Sequence, residues 1–157
     1  MNGASHAERR RDGRDLDPIL TSVVQKKLES LSREMVHVIE RTARSPLLQE
    51  GDFSAGILDA RHRILCQEEG LPLMTYGYSL MLDHLVELIG DEVYPGDVFV
   101  HNDTYYGNNQ AQDTAVFKPV FVGDELRFWA GAKGHRDYAP QPGDGNGAAT
   151  SVPRLRA

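Results

Sequence analysis

The chain has 157 residues, of which 40% are hydrophobic and 25% charged, values ordinary for a globular domain with a core. Its net charge of −6 argues against nucleic-acid binding, which needs clustered Lys and Arg, and its single cysteine excludes an internal disulfide framework. Residues 1–16 lack the apolar stretch of a secretory signal, and no run approaches the roughly 20 apolar residues of a membrane span, so we expect a cytoplasmic protein without a membrane partner.

Residues 1–16 are polar and aperiodic and are predicted to be disordered. A long helix should begin at Pro18, since Asp17 is a favoured N-cap, and should run to about Arg44, because Pro46 follows closely. Its apolar residues recur at spacings of three and four: Leu20, Val24, Leu28, Leu31, Met35 and Val38. We interpret it as an amphipathic helix packed on a core, with a dimerising coiled coil as the alternative.

Two short strands are predicted next. Residues 52–58 alternate in the manner of a strand, residues 64–67 form a second, and the five residues between them make a hairpin connection. We expect His62, at the tip, to be exposed. We expect Cys66 to be a small buried hydrophobe rather than a nucleophile.

A second helix is predicted from about Tyr76 to Ile89. Its apolar residues are dense enough for a mostly buried element, and Gly90 is placed to end it. His84 lies within it, and we interpret this side chain as a satisfied or surface histidine rather than a metal ligand.

Three strands are predicted in the second half, over residues 97–101, 114–122 and 125–132. The last two form a hairpin around the turn at 123–124, and Pro119 indicates a sheet edge or a bulge. The fold class is therefore predicted as α+β, with a long N-terminal helix, a second buried helix and antiparallel hairpins.

Most residues capable of chemistry lie between 96 and 140. They are His101, Asn102, Asp103, Asn108, Asn109, Gln110, Asp113, His135 and Asp137. In an antiparallel hairpin, the start of one strand and the end of its partner lie at the same end, so Asp113 and His135 are predicted neighbours. Such a pair suits a divalent metal such as Zn, Mn or Fe, an Asp–His general base, or a hydrogen bond that ties a loop.

Three blocks of sequence carry a family resemblance. They read RTARSPLLQEGDFSAGILDARHRILCQ, PGDVFVHNDTYYGNNQAQDTAVFKPVF and AGAKGHRDYA, and they occur in that order. They resemble the hydantoinase B/5-oxoprolinase family, which also includes the large subunits of acetone and acetophenone carboxylases. The resemblance implies that residues 17–137 are the N-terminal part of a longer α/β family domain.

The resemblance also implies ATP-dependent chemistry. A hydantoinase A-type subunit or domain would bind ATP and phosphorylate the substrate, and this chain itself has no GxxxxGK[ST] loop. The B-type part would complete hydrolysis of a cyclic amide or imide, such as a hydantoin or 5-oxoproline. The alternative within the family is carboxylation of a ketone such as acetone.

The family's metal ligands are a His-x-x-Asp pair and a later His, which correspond here to Gln110, Asp113 and His135. Gln110 stands where the first His is expected, and an amide oxygen is a weaker ligand for Zn than an imidazole. The substitution leaves three outcomes open. The site holds a harder ion such as Mn or Mg, His101 supplies the missing ligand, or the site holds no metal.

The turn after the third strand is the expected substrate pocket. By position it would be lined by Asn102, Asp103 and Tyr105. Thr104 replaces the Pro that the family usually has in this turn, which would loosen it.

Residues 138–157 have no periodicity and are rich in Gly, Ala and Pro. We expect an irregular tail and interpret it as the product of a frameshift, a premature stop or a truncated gene, with a natural short form as the alternative. The remaining hypothesis is an inactive fragment or interaction module, whose exposed apolar faces the missing part would have covered.

Overall fold

The computed structural model describes residues 17–70, 74–90, 92–135 and 154–156. The predicted disordered segment 1–16 and the candidate residue Asp137 lie outside them. The elements, in chain order, are α1 (Pro18–Thr42), α2 (Pro46–Gln49), β1 (Phe53–Asp59), β2 (Ile64–Glu69), α3 (Tyr78–Ile89), β3 (Asp97–His101), a 3-10 turn (Thr104–Tyr106), β4 (Asp113–Val122), β5 (Glu125–His135) and β6 (Arg154–Arg156). The predicted α+β class is confirmed. None of the described helices is long and apolar enough to cross a bilayer.

The described strands form one antiparallel sheet in the order β2-β1-β5-β4-β3-β6. The two predicted hairpins, β1–β2 and β4–β5, are both present. The pairing of β1 with β5, from Phe53↔Gly134 to Asp59↔Phe128, joins them. Strand β6 pairs with β3 and lies in the segment 138–157, so these three residues depart from the predicted irregular tail.

Helix α3 packs on one face of this sheet and forms the core with it. Its buried residues Tyr78, Met81, Leu82 and Leu85 meet the sheet residues Leu58, Phe99, Ala115, Phe117 and Trp129. The helix ends as predicted at Gly90, whose φ of 58° is readily adopted only by glycine and whose N–H donates to the carbonyl of Val86.

Helix α1 covers β1 and β2 on the opposite face. Asp17 caps it as predicted, accepting from the N–H of Ile19 at 2.8 Å. The expectation that its apolar stripe is packed on a core is wrong for much of its length, because Leu20 is 60% exposed and Val38 54% exposed. Beside α1, an apolar groove of about 720 Å³ stays open over the sheet, between residues such as Met35 and Phe128.

Two residues near the first hairpin differ from expectation. His62, at the tip, has a side chain only 14% exposed, because its Nδ1 lies 2.7 Å from the carboxylate of Asp83 on α3 and its ring packs on Trp129. Cys66 is half-buried, and its Sγ lies 2.9 Å from the hydroxyl of Ser32 on α1. The hairpin is therefore held by both helices.

Pro119 behaves as its sequence position indicates. Strand β4 pairs with β3 only over residues 115–117, so Pro119 needs no N–H on that side. The register of β4 against β5 shifts between Val120 and Phe121, directly after the proline.

Leu85→Ala tests the importance of the α3 face. We expect it to lower the free energy of unfolding by roughly 2–5 kcal/mol, because a buried leucine is replaced by a cavity. Leu88→Ala, at a position 54% exposed in the same helix, is the matched control and should change it by less than about 0.5 kcal/mol. Urea denaturation measures both, and equal losses would contradict the packing described here.

Candidate functional site

The candidate site lies where β4 begins and β5 ends. The register places Asp113 directly opposite His135, which confirms the predicted neighbourhood of these two residues. Since side chains alternate along a strand, Asp113 lies on the same face as Ala115 and Phe117, the face that packs on α3. The site is thus the polar continuation of the apolar core.

Three polar atoms converge at this end of the hairpin. His135 Nδ1 lies 2.8 Å from Asp113 Oδ1. The side-chain nitrogen of Gln110 lies 2.9 Å from His135 Nδ1 and 3.4 Å from Asp113 Oδ1. We call these three side chains the Gln110–Asp113–His135 triangle.

Hydrogen bonds among the three side chains of the triangle do not satisfy all of their polar atoms. A neutral imidazole nitrogen either donates or accepts, so Nδ1 cannot donate to Asp113 and accept from Gln110 at the same time. Rotation of the Gln110 amide by 180° would place its oxygen where its nitrogen now lies, because the two orientations have the same shape. The carboxylate of Asp113 is only 1% exposed, and its Oδ2 has no hydrogen-bond partner among the described residues.

The triangle fits a divalent cation. Metal–ligand distances of about 2.0–2.2 Å place neighbouring ligand atoms about 2.8–3.6 Å apart, the range that these three atoms occupy. A carboxylate, an imidazole and an amide oxygen are all established ligand types. Among the described residues no group of three His, Cys, Asp or Glu side chains could hold a metal, so the fit depends on Gln110.

His101, the predicted alternative ligand, has a different partner. Its Nε2 lies 3.1 Å from Nδ1 of His84 on α3, so the structure pairs it with that helix. The His84 ring stacks on Tyr106, with centroids 3.5 Å apart. Burial, with a smaller contribution from His84, lowers the pKa of His101 to about 4, while Asp103 acts in the opposite direction.

The three predicted pocket residues lie in the loop after β3. Asp103 caps the 3-10 turn by accepting from the N–H of Tyr105 at 2.9 Å. Asn102 is half-buried and directs its side-chain nitrogen to the carbonyl of Ala111 at 3.4 Å, whereas the Tyr105 ring is 87% exposed. Two of the three therefore also shape the loop.

Asn108 organises this loop from inside. Its side-chain nitrogen lies 3.0 Å from the carbonyl of Asn102 and 2.7 Å from each of the carbonyls of Gln110 and Asp113. The loop also crosses the start of α3 so closely that a Cβ on Gly77 would overlap the carbonyl oxygen of Gly107. These contacts hold the backbone that presents Gln110.

Lys133 is a site residue that sequence reasoning missed. It is 2% exposed, and its Nζ donates to Oδ1 of Asn109 at 2.6 Å. Burial lowers the pKa of its ammonium group to about 8, against the opposing charge of Asp113. The signal was present in the alternation of β5, which places Lys133 on the same inward face as Trp129 and His135.

Comparison with known proteins decides the family. The family model described as hydantoinase B/oxoprolinase matches residues 17–152, which is most of the chain. The chain belongs to the hydantoinase B/oxoprolinase family. The resemblance expected from the three sequence blocks is thereby confirmed.

Individual relatives of this family member are much longer. It is 34% identical over 121 residues to caprolactamase subunit beta of Pseudomonas jessenii, an alignment that covers 76% of this chain and 21% of that protein. The crystal structure of ATP-dependent caprolactamase from Pseudomonas jessenii matches with a TM-score of 0.78 and 29% identity, over 90% of this chain and 27% of that chain. A nucleotide-free structure of acetone carboxylase matches with a TM-score of 0.66 and 25% identity, over 78% of this chain and 16% of that chain.

The burial of His101 beside His84 predicts a pH-dependent stability. Since the pKa of His101 is about 4 in the folded chain and 6.5 in the reference state, the unfolded chain binds more protons between these pH values. Stability should therefore fall as the pH drops from 6.5 towards 4, by up to about 3 kcal/mol for a shift of this size. His101→Gln should flatten that slope in urea melts at a series of pH values.

His37→Gln is the control for this measurement, because the His37 side chain is 72% exposed on α1. It should leave the slope between pH 4 and 6.5 close to that of the unmodified chain. A slope unchanged in His101→Gln would show that His101 is not the titrating group.

Proposed function

We propose that this chain contributes the hydrolytic site of an ATP-dependent reaction that opens a cyclic amide or imide. The observation that carries the proposal is the Gln110–Asp113–His135 triangle, which lies at the position of the family's His-x-x-Asp and later His. Membership of the family and the closer structural match to caprolactamase than to acetone carboxylase support a lactam-type substrate.

A hydantoinase A-type subunit or domain would supply the ATP-dependent step. The relative from Pseudomonas jessenii is described as a beta subunit, and its crystal structure is that of an ATP-dependent enzyme. This chain has no P-loop sequence of its own. In the proposed division of labour, the partner transfers a phosphoryl group from ATP to the amide oxygen and releases ADP. Water then adds to the amide carbon at this chain's site, the ring C–N bond breaks, and phosphate leaves.

The triangle would hold a divalent metal through Asp113, His135 and the amide oxygen of Gln110. A bound Zn, Mn or Fe ion would supply Lewis-acid activation of a carbonyl or water oxygen. Because one imidazole ligand of the family pattern is an amide here, we favour a harder ion such as Mn over Zn.

The chain's own side chains suffice for proton transfer. In the tautomer that carries its proton on Nδ1, His135 would donate to Oδ1 of Asp113, 2.8 Å away, and its Nε2 would be the atom that takes a proton from water. His135 is 19% exposed at its side chain, so solvent reaches it, whereas Asp113 is shielded. Nδ1 of His135 cannot donate to Asp113 and bind a metal at the same time. Removal of the metal therefore distinguishes His135 as a metal ligand from His135 as a general base.

The loop residues Asn102, Asp103 and Tyr105 are proposed to line the substrate pocket. The Tyr105 ring is exposed and offers a flat apolar surface to a ring-shaped substrate. The amide and carboxylate of its neighbours supply hydrogen-bonding groups close to the backbone of the loop.

Gln110→His tests the metal assignment. It restores the second imidazole of the family pattern, and we expect Zn²⁺ to bind at least about tenfold more tightly, because imidazole is the better Zn ligand. Asp113→Asn and His135→Ala should each weaken Mn²⁺ and Zn²⁺ binding by a similar factor in calorimetric titrations.

Asp124→Asn is the control, because Asp124 lies at the opposite end of the β4–β5 hairpin. It should bind both ions as the unmodified chain does. The metal assignment fails if Gln110→His and Asp113→Asn leave the affinity for both ions unchanged.

His135→Ala tests the catalytic assignment. In the full chain assembled with its A-type partner, it should lower lactam opening by roughly 10²–10⁴-fold, the usual contribution of a general base. The partner's phosphorylation step should continue, so ATP consumption should become uncoupled from ring opening. A variant that opens the ring at the normal rate would refute the role.

Removal of the metal by a chelator tests whether His135 acts as a metal ligand or as a general base. Metal-assisted hydrolysis should stop after dialysis against a chelator and return when Mn²⁺ is added. Activity that survives chelation but is lost in Asp113→Asn would assign the reaction to the Asp113–His135 pair alone.

Ketone carboxylation is the second candidate, and the structural match to acetone carboxylase favours it. Turnover of a ketone that requires ATP and bicarbonate would support it. Hydrolysis of a lactam or hydantoin without bicarbonate would exclude it as the main activity.

A further inference from the structure

The buried Lys133 side chain holds the tip of the loop before β4. Asn109 and Gln110 are exposed at this tip. Lys133 extends towards it from β5, two residues before His135 on the same face of the sheet, and donates to Oδ1 of Asn109 at 2.6 Å. Lys133 is 2% exposed as a whole, so this bond is shielded from solvent at its lysine end.

The contacts of Asn108 place the backbone of the loop but not the side chains at its tip. Asn108 contacts the backbone carbonyls of Asn102, Gln110 and Asp113, so it holds the main chain of the loop and not the side chains of Asn109 and Gln110. The side chain of Asn109 points instead to Lys133. Because Gln110 follows Asn109 directly, the direction of the Asn109 side chain constrains where the Gln110 amide can lie.

We propose that Lys133 is a positioning residue, which holds Asn109 and thereby places the Gln110 amide against Asp113 and His135. The consequence for metal binding rests on the proposed function, whereas the ordering of the loop does not. Charge-assisted hydrogen bonds are among the stronger ones, and this one connects a rigid strand to an exposed loop.

If Lys133 acted only through its charge, its removal would have the opposite effect on metal binding from the one that positioning predicts. An ammonium group close to Asp113 repels a second cation at the triangle, so its removal should tighten binding of Mn²⁺. Positioning predicts weaker binding, because the third ligand is no longer held. A purely structural role in the core would change the unfolding temperature and leave both the loop and the metal affinity of the folded chain unchanged.

Lys133→Met removes the charge and keeps an unbranched side chain that is shorter by one atom. In the full chain, we expect hydrogen exchange of residues 107–112 to accelerate at least about tenfold, with the β1–β2 hairpin unaffected. We expect Mn²⁺ alone, titrated calorimetrically, to bind about tenfold more weakly, the usual effect of losing a group that orients a ligand. Lys118→Met, at an exposed lysine of β4, is the matched control and should change neither.

Asn109 provides the test that does not disturb the core. Asn109→Leu removes the acceptor and should reproduce both effects of Lys133→Met, whereas Asn109→Asp retains an oxygen there and should stay close to the unmodified chain. The double variant Lys133→Met with Asn109→Leu should show the same loop exchange and the same Mn²⁺ affinity as Lys133→Met, because both substitutions break the same Lys133–Asn109 hydrogen bond.

The outcomes separate this proposal from the proposed function. Tighter Mn²⁺ binding in Lys133→Met, or unchanged loop exchange in both single variants, would overturn the positioning role. If the unmodified chain binds no Mn²⁺, the metal part of the proposed function fails, and the exchange of residues 107–112 alone decides the role of Lys133.

Discussion

The pairing of β4 with β5 is the constraint on which the rest of the structure depends. Its register sets Asp113 opposite His135 and Ala115 opposite Lys133, and it brings Phe117 and Trp129 to the face under α3. A slip of β5 by one residue would turn its inward side chains, Trp129, Lys133 and His135, to the other face of the sheet, away from α3 and from Asp113. The same register therefore builds the core and the site.

The site occupies the polar end of an apolar face, and burial is the source of its chemistry. Asp113 and Lys133 are almost completely removed from water, where an uncompensated charge is costly. The ammonium group has Asn109 as a partner, and one oxygen of the carboxylate has His135, but the other oxygen has no described partner. This incomplete satisfaction is typical of a site built to receive another group.

Local patterns were sufficient to predict most elements. Capping residues located the start of α1 and the end of α3, and alternation located the strands of both hairpins. The contact of Asp113 with His135 was also predictable, because a short hairpin relates its two ends by counting residues from the turn. The short helix α2 was not predicted, and the expectation that the apolar stripe of α1 is packed on a core is wrong for much of its length.

The sequence by itself determined the α+β class, the two hairpins, the family resemblance and the Asp113–His135 pair, because each depends on short-range spacing or on motif order. Only the tertiary structure decided that Gln110 lies against that pair while His101 lies against His84. The β1–β5 pairing, the packing of His62 on α3, the His84–His101 contact and the Lys133–Asn109 bond all connect segments far apart in the chain. Such contacts follow from how elements pack in space, and local periodicity carries no information about that packing.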